Sequence, residues 1–172
     1  MDDAHKVLPD FRGQDSHYQA IGKLASNWAA FEAILTSAIW QIGGIEDAIG
    51  ACITPQIPSY EGKMKALVSI LEVRGGFRKV IDDVNKFHKS IRPLATFRNR
   101  VVHDPAYFDP ATGVPQRLEI TADKMPVLAY RPAPTDDVLK KVDEIADRID
   151  EFKEIIRPAI ERYPAEPLPG KS

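Results

Sequence analysis

The chain predicts an all-α fold: an antiparallel bundle of four to five helices, with a small extended or hairpin insertion before the last helix. Three observations carry this. Apolar residues recur every three to four positions over Ile21–Ile42, Val80–Val101 and Val138–Ile160, the period of a helix face. Glycine pairs, Gly43-Gly44 and Gly75-Gly76, close two of the helical runs. One window, 104–134, is dense in proline and breaks the helical pattern.

Residues 1–15 mix Pro9, Gly13 and charges without a period and read as an irregular arm. The bundle domain spans 16–162. Its first helix starts at Ser16, whose hydroxyl suits an N-cap, and carries Leu24, Trp28, Phe31 and Leu35 on one face. Residues 45–53 form a short apolar helix or a collapsed connection. A second long helix runs from about Ser59 to Arg74, with Met64, Leu67 and Leu71 on one side. The third runs from near Phe77 to Val102. Pro93 lies inside it, and the stripe keeps its phase across the proline, so a kink is expected rather than a break. Within 104–134, Arg117–Ala122 and Val127–Arg131 have strand character and predict a small hairpin or extended flap. Thr135-Asp136-Asp137 opens the last helix, with Thr135 as N-cap, and Pro158 kinks or ends it. Residues 163–172, with three prolines and Gly170, are expected to be a mobile tail.

Composition bounds the function. At 172 residues with 44% hydrophobic and 28% charged side chains, the chain is long and apolar enough for one cored domain. Its single cysteine, Cys52, excludes an internal disulfide and a cysteine-based metal cluster. No apolar run approaches the roughly 20 residues that cross a bilayer. The first residues lack a signal pattern, so no membrane and a reducing cytoplasm are the expectation. The net charge of −2 makes no global case for nucleic acid. Residues 62–103, however, hold ten Lys or Arg against three acids, a net +7 that can attract a polyanion locally.

The chemistry concentrates where the basic window ends, at Arg98-Asn99-Arg100-Val101-Val102-His103-Asp104. Pro105 stops the helix there. Arg98 falls near the middle of the apolar stripe, where an unpaired cation is expensive, and Glu32 on the first helix is its expected structural partner. An arginine fork suits a phosphate, and a histidine suits proton transfer near neutral pH. Arg98 and His103 together could cleave RNA without a metal. His103 would move the proton of a ribose 2′-OH, Arg98 would stabilise charge on the phosphoryl oxygens, and Asn99 would support them. Arg100, Lys89 and Arg92 are the candidate substrate-binding cations. No metal-ligand spacing and no cofactor motif appears. The same residues also fit a plain ion-pair network with a helix-terminal histidine. His5 and His17 read as residues of the N-terminal edge, and His88, next to Phe87, as packed or solvated rather than a ligand.

Arg98-Asn99-Arg100-Val101-Val102-His103 resembles the signature of the HEPN superfamily: an Arg, a polar residue, then a His at the end of a helix. Ile21-Gly22-Lys23-Leu24, Trp28, Phe31-Glu32 and Leu35 look like the first helix of bacterial HEPN-like proteins. Gly62-Lys63-Met64-Lys65-Ala66-Leu67 is similar to their second. The resemblance implies an all-α bundle that forms a homodimer, with the Arg–His corners of two copies meeting in a cleft. It also implies a metal-independent endoribonuclease acting on RNA, as a toxin or antiphage effector, with an antitoxin or neighbouring-gene protein as partner. Catalytic Arg98 and His103, with Asn99 in support, follow from it. The alternative within the same family is a non-catalytic dimerisation or interaction domain that acts as a sensor or partner-binding module. One HEPN branch carries a tyrosine two residues after the histidine; this chain has Pro105 there.

Overall fold

Among the described residues, five α-helices and three strands follow the order α1 (Asp15–Gly43), α2 (Asp47–Ile53), α3 (Tyr60–Arg74), α4 (Arg78–His103), β1 (Ala106–Phe108), β2 (Pro115–Ala122), β3 (Pro126–Pro132) and α5 (Thr135–Arg162). A 3-10 turn, Thr54–Gln56, follows α2. This is a computed structural model that describes residues 14–109, 111–122 and 126–164. The expected mobile tail from 165 on, and all but the last two residues of the expected arm, lie outside the described residues. The fold is predominantly helical. It is not purely α, because the proline-dense window forms a three-stranded antiparallel sheet in the order β1-β2-β3.

Local chemistry explains most boundaries. The first helix begins one residue before Ser16, since the Gln14 carbonyl accepts from the His17 and Tyr18 amides at 3.0 and 3.3 Å. Ser59 caps α3 by accepting from the Gly62 amide at 3.1 Å. Gly75, at φ +69°, ends it by donating to the Leu71 and Glu72 carbonyls, a conformation that favours glycine. Pro93 and Pro158 lie inside α4 and α5, and both helices run on past them. Thr135 does not cap α5. The Pro134 carbonyl accepts from the Asp137 and Val138 amides, and Thr135 is the first helical residue.

The described residues divide into two compact units. The first combines the start of α1 up to Ser26 with Leu94–Glu144, and so holds the end of α4, the sheet and the start of α5. Its buried side chains include Ala20, Leu24, Leu94, Ala95, Val101, Ala133 and Val138. In the sheet, β1 pairs with β2 from Ala106↔Arg117 to Phe108↔Pro115. The β2–β3 pairing runs from Gln116↔Pro132 through Leu118↔Tyr130 and Ile120↔Leu128 to Ala122↔Pro126.

The second unit combines Asn27–Pro93 with the described residues from Ile145 on. Its core is an aromatic triangle. Phe31 of α1, Phe87 of α4 and Phe152 of α5 meet with ring centroids 5.2 to 5.9 Å apart. Trp28 packs edge-on against Tyr60 of α3 at 5.3 Å. Leu35, Ile42, Met64, Leu67, Leu71 and Ile91 fill the rest. At about 25 cal/mol per Å² of apolar surface, such fully buried large side chains each contribute about 1.5–3 kcal/mol. The short α2 lays Gly50 against the Trp40 ring so closely that a Cβ there would fall 2.5 Å from a ring carbon.

Candidate functional site

The last turns of α4 form the corner that the sequence singles out. The helix keeps regular hydrogen bonding to its end, where the Asp104 amide donates to the Arg100 carbonyl at 2.8 Å, and Pro105 then terminates it. His103 is the last helical residue and is exposed. With the last turn regular, the helical period sets Arg98 and His103 ~140° apart around the axis. No unwinding of this turn brings them together.

Arg98 is half-buried. Its Nη1 donates to the Asn99 side-chain oxygen at 2.9 Å, while its Nε is buried and has no hydrogen-bond partner among the described residues. The amide is neutral and offers the guanidinium no counter-charge. Glu32, the partner expected for Arg98, belongs to the second unit. Its carboxylate accepts from Trp28 Nε1 at 2.8 Å and from Lys63 Nζ at 3.3 Å, within the second unit. The helical wheel of α1 sets Glu32 beside a core face, and Lys63 is the cation that meets it within this unit.

Arg100 is engaged. It lies 3.7 Å from Asp104 and 3.9 Å from Glu119. Arg117 reaches Asp104 at 2.9 Å and Glu119 at 3.6 Å, and Arg131 reaches Glu119 at 3.4 Å. Three guanidiniums thus share two carboxylates, and the network fastens the end of α4 to β2 and β3. Side chains alternate along a strand, and Arg117 and Arg131 are register partners, so Arg117, Glu119 and Arg131 share one face of the sheet. The alternating Arg117-x-Glu119 was the one sequence signal that could have disclosed this network.

The opposite face of the sheet is apolar. Tyr107 and Tyr130 touch with centroids 5.3 Å apart, and Ile120 and Leu128 are register partners. Ile120 is 64% exposed, Leu128 73% and Tyr130 47%. Below the sheet, His17 is buried. Its Nδ1 hydrogen-bonds the Thr135 hydroxyl at 3.1 Å and its ring meets Phe108 edge-on at 5.6 Å. Desolvation pushes its pKa below the ordinary imidazole value. Its placement in the sequence as an edge histidine is corrected accordingly.

Lys89 and Arg92 lie on the part of α4 that belongs to the second unit, and both are exposed. Arg92 pairs with Glu61 at 3.5 Å. Nearby, His88 packs edge-on against Tyr60 at 5.8 Å. Its pKa is lowered chiefly by burial, with Lys65 and Arg92 adding to the shift and Glu61 opposing it. Burial, and then Glu61, raise that of Tyr60.

Among the described residues, no three or more His, Cys, Asp or Glu side chains gather as a metal set, and no helix is long and apolar enough to cross a membrane. No protein-family model, curated protein or solved structure matches the chain.

Proposed function

We propose that the chain is a metal-independent endoribonuclease of HEPN type, built as an antiparallel helical bundle and active as a homodimer. One observation carries the reading. Arg98 and His103, one half-buried and one exposed, have no carboxylate partner among the described residues, although Arg100 between them has two. A positioned cation without a counter-ion is a site for an anion, and a phosphodiester meets an arginine fork with two parallel hydrogen bonds.

In this reading His103 takes the proton of a ribose 2′-OH. The O2′–P bond forms, the P–O5′ bond breaks, and the 5′-oxygen leaves with a proton. Arg98, aimed by Asn99, stabilises the charge that grows on the non-bridging oxygens. Since Arg98 and His103 diverge around one helix, a second copy completes the cleft and supplies the second proton-transfer group. Lys89, Arg92 and Arg100 act as backbone contacts. A toxin or antiphage effector, held by an antitoxin or neighbouring-gene protein, fits such an activity.

A second reading has its own support. The exposed Ile120, Leu128 and Tyr130 face suits a protein partner, and the net charge of −2 suits RNA poorly. The chain is then a non-catalytic interaction domain. Incubation with a mixed RNA pool in EDTA separates the two. Cleavage that leaves 2′,3′-cyclic phosphate ends, and that is lost in folded Arg98→Ala and His103→Ala variants, is the expected result. An inert wild-type dimer selects the interaction domain.

A further inference from the structure

The second unit carries an arginine cluster of another kind where α3 and α5 end. Arg74 is the last residue of α3 and Arg162 the last of α5. The Phe77 and Tyr163 rings meet there at 6.1 Å. Arg74 lies over Tyr163, its guanidinium carbon 4.6 Å from the ring centre, and Arg162 lies over Phe77 at 5.3 Å. Arg74 Nε donates to the Ile42 carbonyl at 2.7 Å, so the plane and direction of its fork are fixed in advance.

Two glycines let the backbone close on these groups. A Cβ on Gly44 would fall 2.7 Å from Arg74 Nη2, and one on Gly76 would fall 2.9 Å from Arg162 Nη1. Neither arginine makes an ion pair with a described carboxylate. Other basic residues of the unit do: Arg78 with Asp82, Lys79 with Asp83, and Arg157 with Glu154. Proximity to helix C-termini accounts for the sign of the two charges. It does not account for the cleft beside them. That cleft measures about 570 Å³ and is walled by Gly43, Ile45, Ile70 and Val73 together with Arg74 and Tyr163. Val73 is 87% exposed, an aliphatic side chain left in water.

We propose that this end of the second unit binds a small oxyanion with an apolar body, an aryl or alkyl phosphate or carboxylate. The oxyanion meets the Arg74 guanidinium, which the Ile42 carbonyl holds in place through Nε, and the body lies in the cleft against Ile45, Ile70 and Val73. The volume falls in the range of small-molecule sites, and the fork is preorganised by stacking and by the Ile42 carbonyl. Arg162 adds positive potential and favours a dianion over a monoanion.

Titration of the full chain with phenyl phosphate and with octanoate, followed by amide chemical shifts, tests this. Phenol, octanol and inorganic phosphate serve as controls. Saturable shifts at Gly43, Ile45, Ile70 and Val73 are expected with the two amphiphilic anions, and weaker binding with each control. Arg74→Gln is expected to weaken binding roughly tenfold, the scale of one charge-assisted bidentate contact. Val73→Glu leaves Arg74 in place on an exposed position and is expected to repel the ligand. Arg98→Ala is expected to bind as the wild type does, which keeps this site separate from RNA cleavage. The proposal is overturned if neither anion saturates below about 10 mM. It is equally overturned if the shifts fall elsewhere, or if Val73→Glu binds undiminished.

Discussion

Asp104 accepts Arg117 Nη1 at 2.9 Å, the shortest contact in the network that joins the end of α4 to the middle strand of the sheet. Both side chains are largely withdrawn from water, at 15% and 22% exposure. Removing one partner leaves the other charge partly desolvated. Asp104→Ala and Arg117→Ala are each expected to cost about 1–3 kcal/mol in urea unfolding. The double variant should cost less than the two singles together, since both remove the same contact. Strictly additive losses would separate the two residues energetically.

Under the ribonuclease reading, His103→Ala is expected to lower the cleavage rate by about 10²–10⁴-fold, the usual contribution of a positioned acid or base. Arg98→Lys should be nearly as inactive as Arg98→Ala, because an ammonium keeps the charge but loses the planar fork. Lys89→Ala and Arg92→Ala should instead raise KM and flatten the salt dependence of RNA binding. Cleavage assays across a salt series check all four.

His17 makes stability depend on pH. Burial holds its folded pKa below the ordinary imidazole value of 6.5. Above pH 6.5 both folded and unfolded chains carry neutral imidazole, and this contribution is complete. As pH falls through 6.5 the unfolded chain takes up a proton first, so stability drains away until the folded pKa is passed. His17→Asn, which keeps a polar partner for the Thr135 hydroxyl, should flatten this part of the profile. Thermal midpoints from pH 8 to 5 measure it.

Glu32→Ala is expected to cost about 1–3 kcal/mol, because it leaves Trp28 Nε1 and Lys63 without their acceptor. RNA cleavage, measured well below the melting range, should be unchanged. A selective loss of cleavage with stability intact would return Glu32 to the chemistry.

The helices were legible because their apolar stripes are long. Leu24, Trp28, Phe31 and Leu35 are all buried as their spacing requires, and so are Val80, Val84, Phe87 and Ile91. Gly75 marked the end of α3, and β2 and β3 appeared within a few residues of the segments with strand character. Strand β1 did not, since three residues between prolines carry no period. Nor did the cap of α5, because a proline carbonyl accepts there while the threonine hydroxyl turns to His17. The candidate corner was legible as residue types: Arg98, Asn99 and His103 stand out by chemistry alone. Their partners were not. Whether an arginine meets Asn99, Asp104 or Glu32 depends on which elements adjoin, and one helical wheel carries no information about that. The Arg117–Glu119–Arg131 network is the same case, since it needs strand register as well as composition.

Gly50 and Trp40 constrain how this sequence can drift. With a Cβ at position 50 falling 2.5 Å from the indole, every residue but glycine collides while Trp40 stays. Replacing Trp40 first by a smaller residue opens a void at the root of α2. The two positions therefore have an order of change: the large side chain must shrink before the small one can grow, and the intermediate is the less stable protein. In homologous chains the pair should be inherited jointly, as Gly with Trp or as a larger residue with a smaller ring, and the mixed states should be rare.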